Sequence, residues 1–268
     1  MSEPPCRTDP GYVRSVQYQT DRNLSARIAL HRQFSTNPKG LTRWLFERFD
    51  LTDACRMLEV GCGTGQLWSD NGERIPPGWQ MTLTDVSSEM ISFSRAKLQH
   101  LGGQVTLGVA DVTCLPFAAG LFDAVIANYM LYHVCNRSQA LAEIDRVLHP
   151  SGTFFAATNG RDHMRELDAL IWPGLDVQRR SHAATEFTLE NGSAQLNGWF
   201  AEVNLDIYPD RLEVTEVEPI MAYIQSIDPT RNPDDQAMER IRQAVEREIK
   251  LRGSFPITKS TGLFRCAR

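Results

Sequence analysis

Apolar residues along this chain follow two alternating patterns. Short apolar runs recur at 57–60, 80–84, 105–109, 122–127 and 153–158, with the length and bounding turn residues of buried strands. Between them lie stretches in which apolar residues fall three or four apart. Over about 138–148, Leu141, Ile144, Val147 and Leu148 share one helical face, and Pro150-Ser151-Gly152 stops the run. Over 88–100, Met90, Ile91 and Leu98 do the same, with Ser87 placed to cap the first turn. A shorter helix after Gly65 carries Leu67 and Trp68. Strand alternating with helix predicts right-handed crossovers and a parallel, doubly wound α/β sheet.

The flanks break this rhythm. Residues 1–20 are rich in turn-forming residues and read as a weakly ordered arm, and two helices follow at 21–34 and 41–49, parted by Ser35–Gly40. After Asn159-Gly160 the spacing changes, so 161–187 reads as an insertion with a short helix near 163–171. The pattern then predicts a helix at 190–200, strands at 203–208 and 212–214, helices at 216–227 and 233–251, and closing strands at 255–259 and 262–266. We divide the chain into an N-terminal helical extension, 1–50, and a main domain, 51–268.

Composition narrows the possible partners. A net charge of −5 with no run of Lys or Arg argues against binding nucleic acid through its phosphates. No apolar run reaches membrane-spanning length. The first seven residues have no apolar stretch after Arg7, so no secretory signal is expected. The six cysteines are scattered and none forms a C-x-x-C pair, which suits a reduced, cytoplasmic chain better than a disulfide framework or a zinc site. No metal is expected. A homo-oligomer is left open.

The densest chemistry lies at Met57-Leu58-Glu59-Val60-Gly61-Cys62-Gly63-Thr64-Gly65. An apolar strand runs straight into a turn with glycine at every second position, where the backbone can adopt positive φ and come close to a ligand. Asp85 ends the next strand, twenty residues after Gly65, the place from which a carboxylate accepts hydrogen bonds from ribose hydroxyls. The dinucleotide fingerprint G-x-G-x-x-G is missed, because Gln66 stands where its third glycine belongs. That substitution, with no Tyr-x-x-x-Lys pair, counts against a nicotinamide-dependent oxidoreductase. A non-catalytic nucleoside-binding protein stays open as a further alternative.

The order Glu59-x-Gly61-x-Gly63-x-Gly65 resembles the first motif of class I S-adenosylmethionine-dependent methyltransferases. The resemblance continues in Asp111 with Leu115-Pro116-Phe117, in Phe122–Asn128, and in Arg146–Thr153, where Ser151 replaces a usual glycine. It covers about residues 56–158. It implies a Rossmann-like sheet of seven strands, mostly parallel with the last strand antiparallel. It also implies S-adenosylmethionine as cofactor, held by Glu59, Gly61, Cys62, Gly63, Gly65, Asp85, Val86, Asp111, Val112 and Asn128, with Asp111 near the adenine. Cys62 reads as a small side chain that fits the turn rather than as a nucleophile. A small-molecule methyl acceptor is expected, of natural-product or quinone-like type, methylated at O, N or C. The segment Asn128-Tyr129-Met130-Leu131 lacks the N/D-P-P-Y/F motif of DNA amino-methyltransferases. The resemblance places a substrate lid at 1–50 and 161–187, where Tyr18, Phe34, Trp172, Trp199 and Phe200 are candidates to wall an apolar pocket. His133, and Glu166 with a raised pKa, are the candidate general bases.

Overall fold

β1 (Ala54–Val60) lies inside a seven-stranded sheet, with β2 (Gly78–Asp85) and then β3 (Val105–Val109) on one side of it. On the other side come β4 (Phe122–Asn128), β5 (Leu148–Asn159), β9 (Thr261–Ala267) and β6 (Glu202–Ile207). β1 to β5 pair in parallel, and β9 runs antiparallel to both β5 and β6. This computed structural model describes residues 21–172, 186–227 and 233–268. Tyr18 and much of the 1–50 and 161–187 segments expected to form a lid fall outside those residues.

The strands sort their side chains by the period of two. Leu58, Val60, Val125, Ala127, Phe154 and Ala156 enter one apolar cluster. Their neighbours Met57, Ala124, Ile126, Phe155 and Ala157 enter another. The first cluster receives the apolar face of α5 (Arg137–Val147): Ala140, Leu141, Ile144 and Val147. The second receives α2 (Leu41–Phe46), α3 (Gln66–Asn71) and α4 (Ser88–Leu98) through Trp44, Leu67, Trp68, Ile91 and Leu98. Ser87 caps α4 as expected, its Oγ accepting from the Met90 N–H at 3.2 Å. Two polar caps thus set where α4 and α5 begin, Asn136 serving α5 through the Gln139 N–H at 3.1 Å.

β5 starts earlier than its sequence pattern suggests. α5 ends at Val147, and Pro150-Ser151-Gly152, expected to stop it, lie inside β5, where the pairing jumps from Phe122↔Leu148 to Ala124↔Thr153. A bulge absorbs the extra residues. The aromatic candidates Phe34 and Phe200 are buried core residues, and the Phe200 ring stacks on Phe154 at 5.3 Å.

The chain divides into two compact units. The sheet unit comprises described residues of 41–160, 183–208 and 261–268. The smaller unit draws on the described residues of 1–40, 161–182 and 209–260. It holds the antiparallel pair β7 (Arg211–Val214) and β8 (Phe255–Thr258), with α1 (Asp21–Phe34), α6 (Arg165–Ile171), α7 (Val217–Ile227) and α8 (Asp235–Arg252). Its core is mainly aliphatic, including Leu30, Leu167, Leu212, Ile220, Ile224 and Val245. A buried ion pair joins Lys259 Nζ to Asp210 at 2.5 Å, and Asp210 also accepts from Ser35 Oγ at 2.7 Å and the Asn37 N–H at 3.0 Å.

One cysteine departs from expectation. Cys55, Cys62, Cys114 and Cys266 are free thiols, but Cys135 is disulfide-bonded. Spacing along a chain says nothing of which thiols meet in space, so a uniformly reduced chain was the wrong reading at that position.

Candidate functional site

The carboxyl end of β1 turns through Gly61, Gly63 and Gly65, whose φ values are 69°, 55° and 70°. All three lie in the left-handed region, where an L side chain costs roughly 1–2 kcal/mol. Two of them also lack room. A Cβ on Gly61 would lie 2.8 Å from Met130 Cβ, and one on Gly65 would lie 2.7 Å from Leu98 Cδ1. Gly63 differs, because a Cβ there would meet nothing within 4 Å. The outer glycines let β4's exit and α4 pack against the turn, and the middle one leaves its backbone open to a ligand.

Hydrogen bonds hold this shape. Cys62 N–H donates to Thr84 O at 2.9 Å, and Gly65 N–H donates to Cys62 O at 3.0 Å. Ser94 Oγ, from α4, donates to Gly63 O at 2.7 Å. Asp85 grips the same residue through its preceding peptide group. Its Oδ2 accepts from Gly63 N–H and its Oδ1 from Ser87 N–H, both at 2.9 Å. Burial raises the Asp85 pKa, against the opposing pull of those N–H groups. Each carboxylate oxygen has a second lone pair beyond the bond it makes here.

Beneath the turn, Glu59 is only 3% exposed. Its Oε2 accepts from the Trp68 indole N–H at 2.6 Å, and its Oε1 accepts from Asn128 Nδ2 at 3.1 Å. Burial pushes its pKa up to about 7, with the Trp68 and Asn128 donors pulling it down and the charge of Asp85 adding to the rise. Asn128 ends β4, and its Oδ1 is buried without a hydrogen-bond partner.

The next residue, Tyr129, has φ 55°, a strained value for an aromatic side chain. Its N–H donates to Ala157 O at 2.9 Å, and its hydroxyl lies 2.8 Å from Thr261 Oγ1. Thr261 Oγ1 itself donates to Thr158 O at 3.2 Å, so the tyrosine hydroxyl is the donor to Thr261. This kink delivers Met130 onto Gly61.

The remaining candidates spread around this centre. Asp111 follows β3 and is exposed; its Oδ1 accepts from the N–H and hydroxyl of Thr113, both at 2.8 Å. That is an Asx turn, and it leaves Oδ2 unengaged by the described residues. Ala110 N–H donates to Asp85 O at 3.1 Å, which ties the segment carrying Asp111 to the end of β2. Val86 is half-buried and Val112 is in the core. The Cys62 thiol is buried 3.9 Å from Ser94 Oγ, and burial pushes its pKa up, so it stays an unreactive thiol. His133 ends a single 3-10 turn (Leu131–His133) beyond Met130, half-buried, its ring edge-on to Tyr132 at 4.5 Å.

Glu166 sits in the smaller unit, on α6. Its carboxylate accepts from the Thr258 N–H at 2.8 Å, from the Thr258 hydroxyl at 2.6 Å and from Arg165 Nε at 3.1 Å. Burial favours the neutral acid, but these donors outweigh it and hold the pKa below the ordinary glutamate value. The raised pKa expected from the sequence is therefore reversed, because the acid meets three donors instead of an apolar wall.

The structure thus gathers Glu59, Gly61, Cys62, Gly63, Gly65, Asp85, Val86 and Asn128 at one carboxyl edge. Sequence reasoning missed Trp68, Ser94 and Met130. Trp68 carried a weak signal, since it falls three residues after Gly65 on the short helix; Ser94 and Met130 carried none. Among the described residues, no group of three or more His, Cys, Asp or Glu is placed to hold a metal.

Comparison with known proteins bears on the fold and the family likeness. Residues 58–156 match the family model described as a methyltransferase domain. The ubiquinone/menaquinone biosynthesis C-methyltransferase UbiE of Bordetella parapertussis is 34% identical over 122 residues, covering 46% of this chain and 47% of that protein. The chain therefore spans about half the length of the curated relatives it matches. Phosphoethanolamine N-methyltransferase 2 of Haemonchus contortus, solved in complex with S-adenosyl-L-methionine, superimposes with TM-score 0.62 at 16% identity, over 96% of this chain and 59% of that one. The [4+2]-cyclase SpnF superimposes with TM-score 0.54 at 20% identity, over 84% and 78%. The fold is that of class I methyltransferases, and the match to a methyltransferase domain lies within residues 58–156.

Proposed function

We propose that this methyltransferase domain binds S-adenosylmethionine and transfers its methyl group to a small-molecule acceptor. The observation that carries the reading is the pinned glycine turn. Gly63 presents an open backbone face, while the Asp85 carboxylate that holds it keeps lone pairs for two further donors. A nucleoside's ribose diol supplies such a pair of donors. The fit extends to Asn128 Oδ1, a buried acceptor that still lacks a donor, and to Asp111, whose Oδ2 suits an adenine amino group. Half-buried Val86 and core Val112 would flank the base.

When bound, the cofactor supplies a methyl group on a sulfonium, an excellent leaving group. The chain's share of the work is then alignment. It must hold the acceptor atom in line with the C–S bond and exclude water. The acceptor-side segments 1–50 and 161–187 are assigned the lid role. His133, beyond the Met130 kink, is the proposed proton acceptor. Glu166 is bound to Thr258 and Arg165 and held ionised, which suits it to clasping β8 more than to taking a proton at neutral pH. The named chemistries of the proteins compared above are C-methylation, N-methylation and cyclisation. One architecture therefore serves several reactions, and the acceptor atom is left as O, N or C.

Calorimetry with S-adenosylmethionine, S-adenosylhomocysteine and NAD tests the cofactor half of the reading. Binding of the first two without NAD is expected, and binding of NAD alone would overturn it. A methyl-transfer screen over phenolic, amine and quinol acceptors tests the other half. Hydrogen exchange in 1–50 and 161–187 should slow when cofactor and acceptor are both present.

A further inference from the structure

Tyr129 is the first residue beyond the β4–β5 ladder, whose last pair is Asn128↔Ala157. It is gripped at both ends. Its N–H donates to Ala157 O at 2.9 Å, and its hydroxyl donates to Thr261 Oγ1 at 2.8 Å, which in turn donates to Thr158 O. Thr158 and Thr261 are buried, so water does not compete for these bonds. A left-handed backbone at an aromatic residue is costly and persists only where its surroundings over-determine it. Here β5 fixes the backbone and β9 fixes the ring.

The kink sets the direction in which the chain leaves β4. Met130 O accepts from the His133 N–H at 2.9 Å, and Leu131 O accepts from the Val134 N–H at 3.1 Å. These two bonds close the single 3-10 turn that ends at His133. Leu131 and Val134 enter the same apolar cluster as the buried face of α5, which anchors the turn on one side. So short a turn has no longer ladder to resist rotation at its entry, and that entry is Tyr129.

We infer that the Tyr129–Thr261 hydroxyl bond is a clasp on this kink, and that both residues act as positioning residues for His133. The inference rests on the reading of His133 as proton acceptor. It assigns the placement of that imidazole to a bond between residues 132 apart in the chain. A general base works only within hydrogen-bond reach of its proton, and a displacement of about 1 Å can cost about a hundredfold in rate. The glycine turn does not depend on the clasp. Its own bonds hold it: Cys62 to Thr84, Gly65 to Cys62, and Gly63 to both Ser94 and Asp85. Loss of the clasp should therefore separate methyl transfer from cofactor binding.

The test opens the clasp from either end. Tyr129→Phe removes the donor, Thr261→Val removes the acceptor, and Thr261→Ser keeps it. Each variant is read three ways: by proton NMR of the His133 imidazole, assigned through its absence in His133→Asn; by calorimetry with S-adenosylhomocysteine; and by single-turnover methyl transfer to the fastest member of the phenolic, amine and quinol panel. Tyr129→Phe and Thr261→Val should each shift the His133 resonances and slow transfer roughly ten- to a hundredfold, with S-adenosylhomocysteine affinity held within about threefold. The double variant should be no slower than the slower single one, because both remove the same bond. Thr261→Ser should restore the parent's rate and resonances, and either single variant stands in if the other does not fold. A lowered melting temperature with rate and resonances unmoved would show that the bond serves stability alone and would overturn the inference. So would a loss of cofactor affinity as large as the loss of rate. Full activity in His133→Asn would instead remove His133 as proton acceptor, and this inference would fall with it.

Discussion

Replacing Glu59 by Gln should change how the protein's stability responds to pH. Glu59 has a folded pKa near 7 against an ordinary 4.5, with burial as the main cause. An acid with a raised folded pKa binds its proton more tightly in the folded chain. Its contribution to stability is therefore fullest below pH 4.5 and is lost as pH rises through 7. A rise from 4.5 to about 7, at about 1.4 kcal/mol per unit, is worth about 3 kcal/mol. For a chain of this size that is about 6 °C or more in Tm. Other groups add their own slopes. Asp85 is raised by burial and acts with the same sign. His31 and His163 are lowered by burial to about 4 and about 3, so their contribution is present above pH 6.5 and is lost on acidification. The difference between parent and Glu59→Gln removes these shared slopes, although coupling to nearby Asp85 makes the cancellation incomplete. Thermal melts from pH 5 to pH 8 should show the two curves diverging in the variant's favour as pH rises, by about 2.5 kcal/mol. Parallel curves would show that Glu59 titrates normally in the fold and would refute the reasoning.

Three further outcomes are expected. Gly65→Ala adds a Cβ 2.7 Å from Leu98 Cδ1 at a φ of 70° and should destabilise by about 2–4 kcal/mol; Gly63→Ala has open space and should lose only about 1–2 kcal/mol while abolishing cofactor binding, the two effects being separated by melts and calorimetry. Asp85→Ala should weaken cofactor binding roughly ten- to a hundredfold and also lower Tm, because the Gly63 and Ser87 N–H groups lose their acceptor; tight binding by this variant would remove Asp85 from the site. In single-turnover methyl transfer, His133→Asn should slow the step about 10²–10⁴-fold if the acceptor must lose a proton, whereas Glu166→Gln should leave the rate within tenfold and lower the melting temperature through its bonds to Thr258.

Much of the fold was legible because it depends on local patterns. The helix at 21–34, the cap at Ser87, strand 105–109 and the closing antiparallel strand were all readable from periodicity, turn residues and the family resemblance. The element edges were less so. β5 begins at Leu148 because a bulge lets the chain stay extended through Pro150-Ser151-Gly152, and a bulge has no periodic signature. The division into two units was not visible either. The smaller one is assembled from three separate stretches of chain, and nothing local announces that 161–182 and 209–260 share a core.

The candidate site divides in the same way. The sequence by itself determined which residues form the turn and which acid ends the next strand, because glycines at alternate positions and an acid at a strand end carry their meaning in their spacing. Tertiary structure alone decided what each group faces. It separated Gly63, with open space, from Gly61 and Gly65, which are closed by Met130 and Leu98. It turned Glu59 inward onto Trp68 and Asn128 and set Glu166 among three donors. Spacing states which backbone conformations are allowed. A carboxylate's pKa and an amide's orientation depend on neighbours tens of residues away, and only packing brings those neighbours into place.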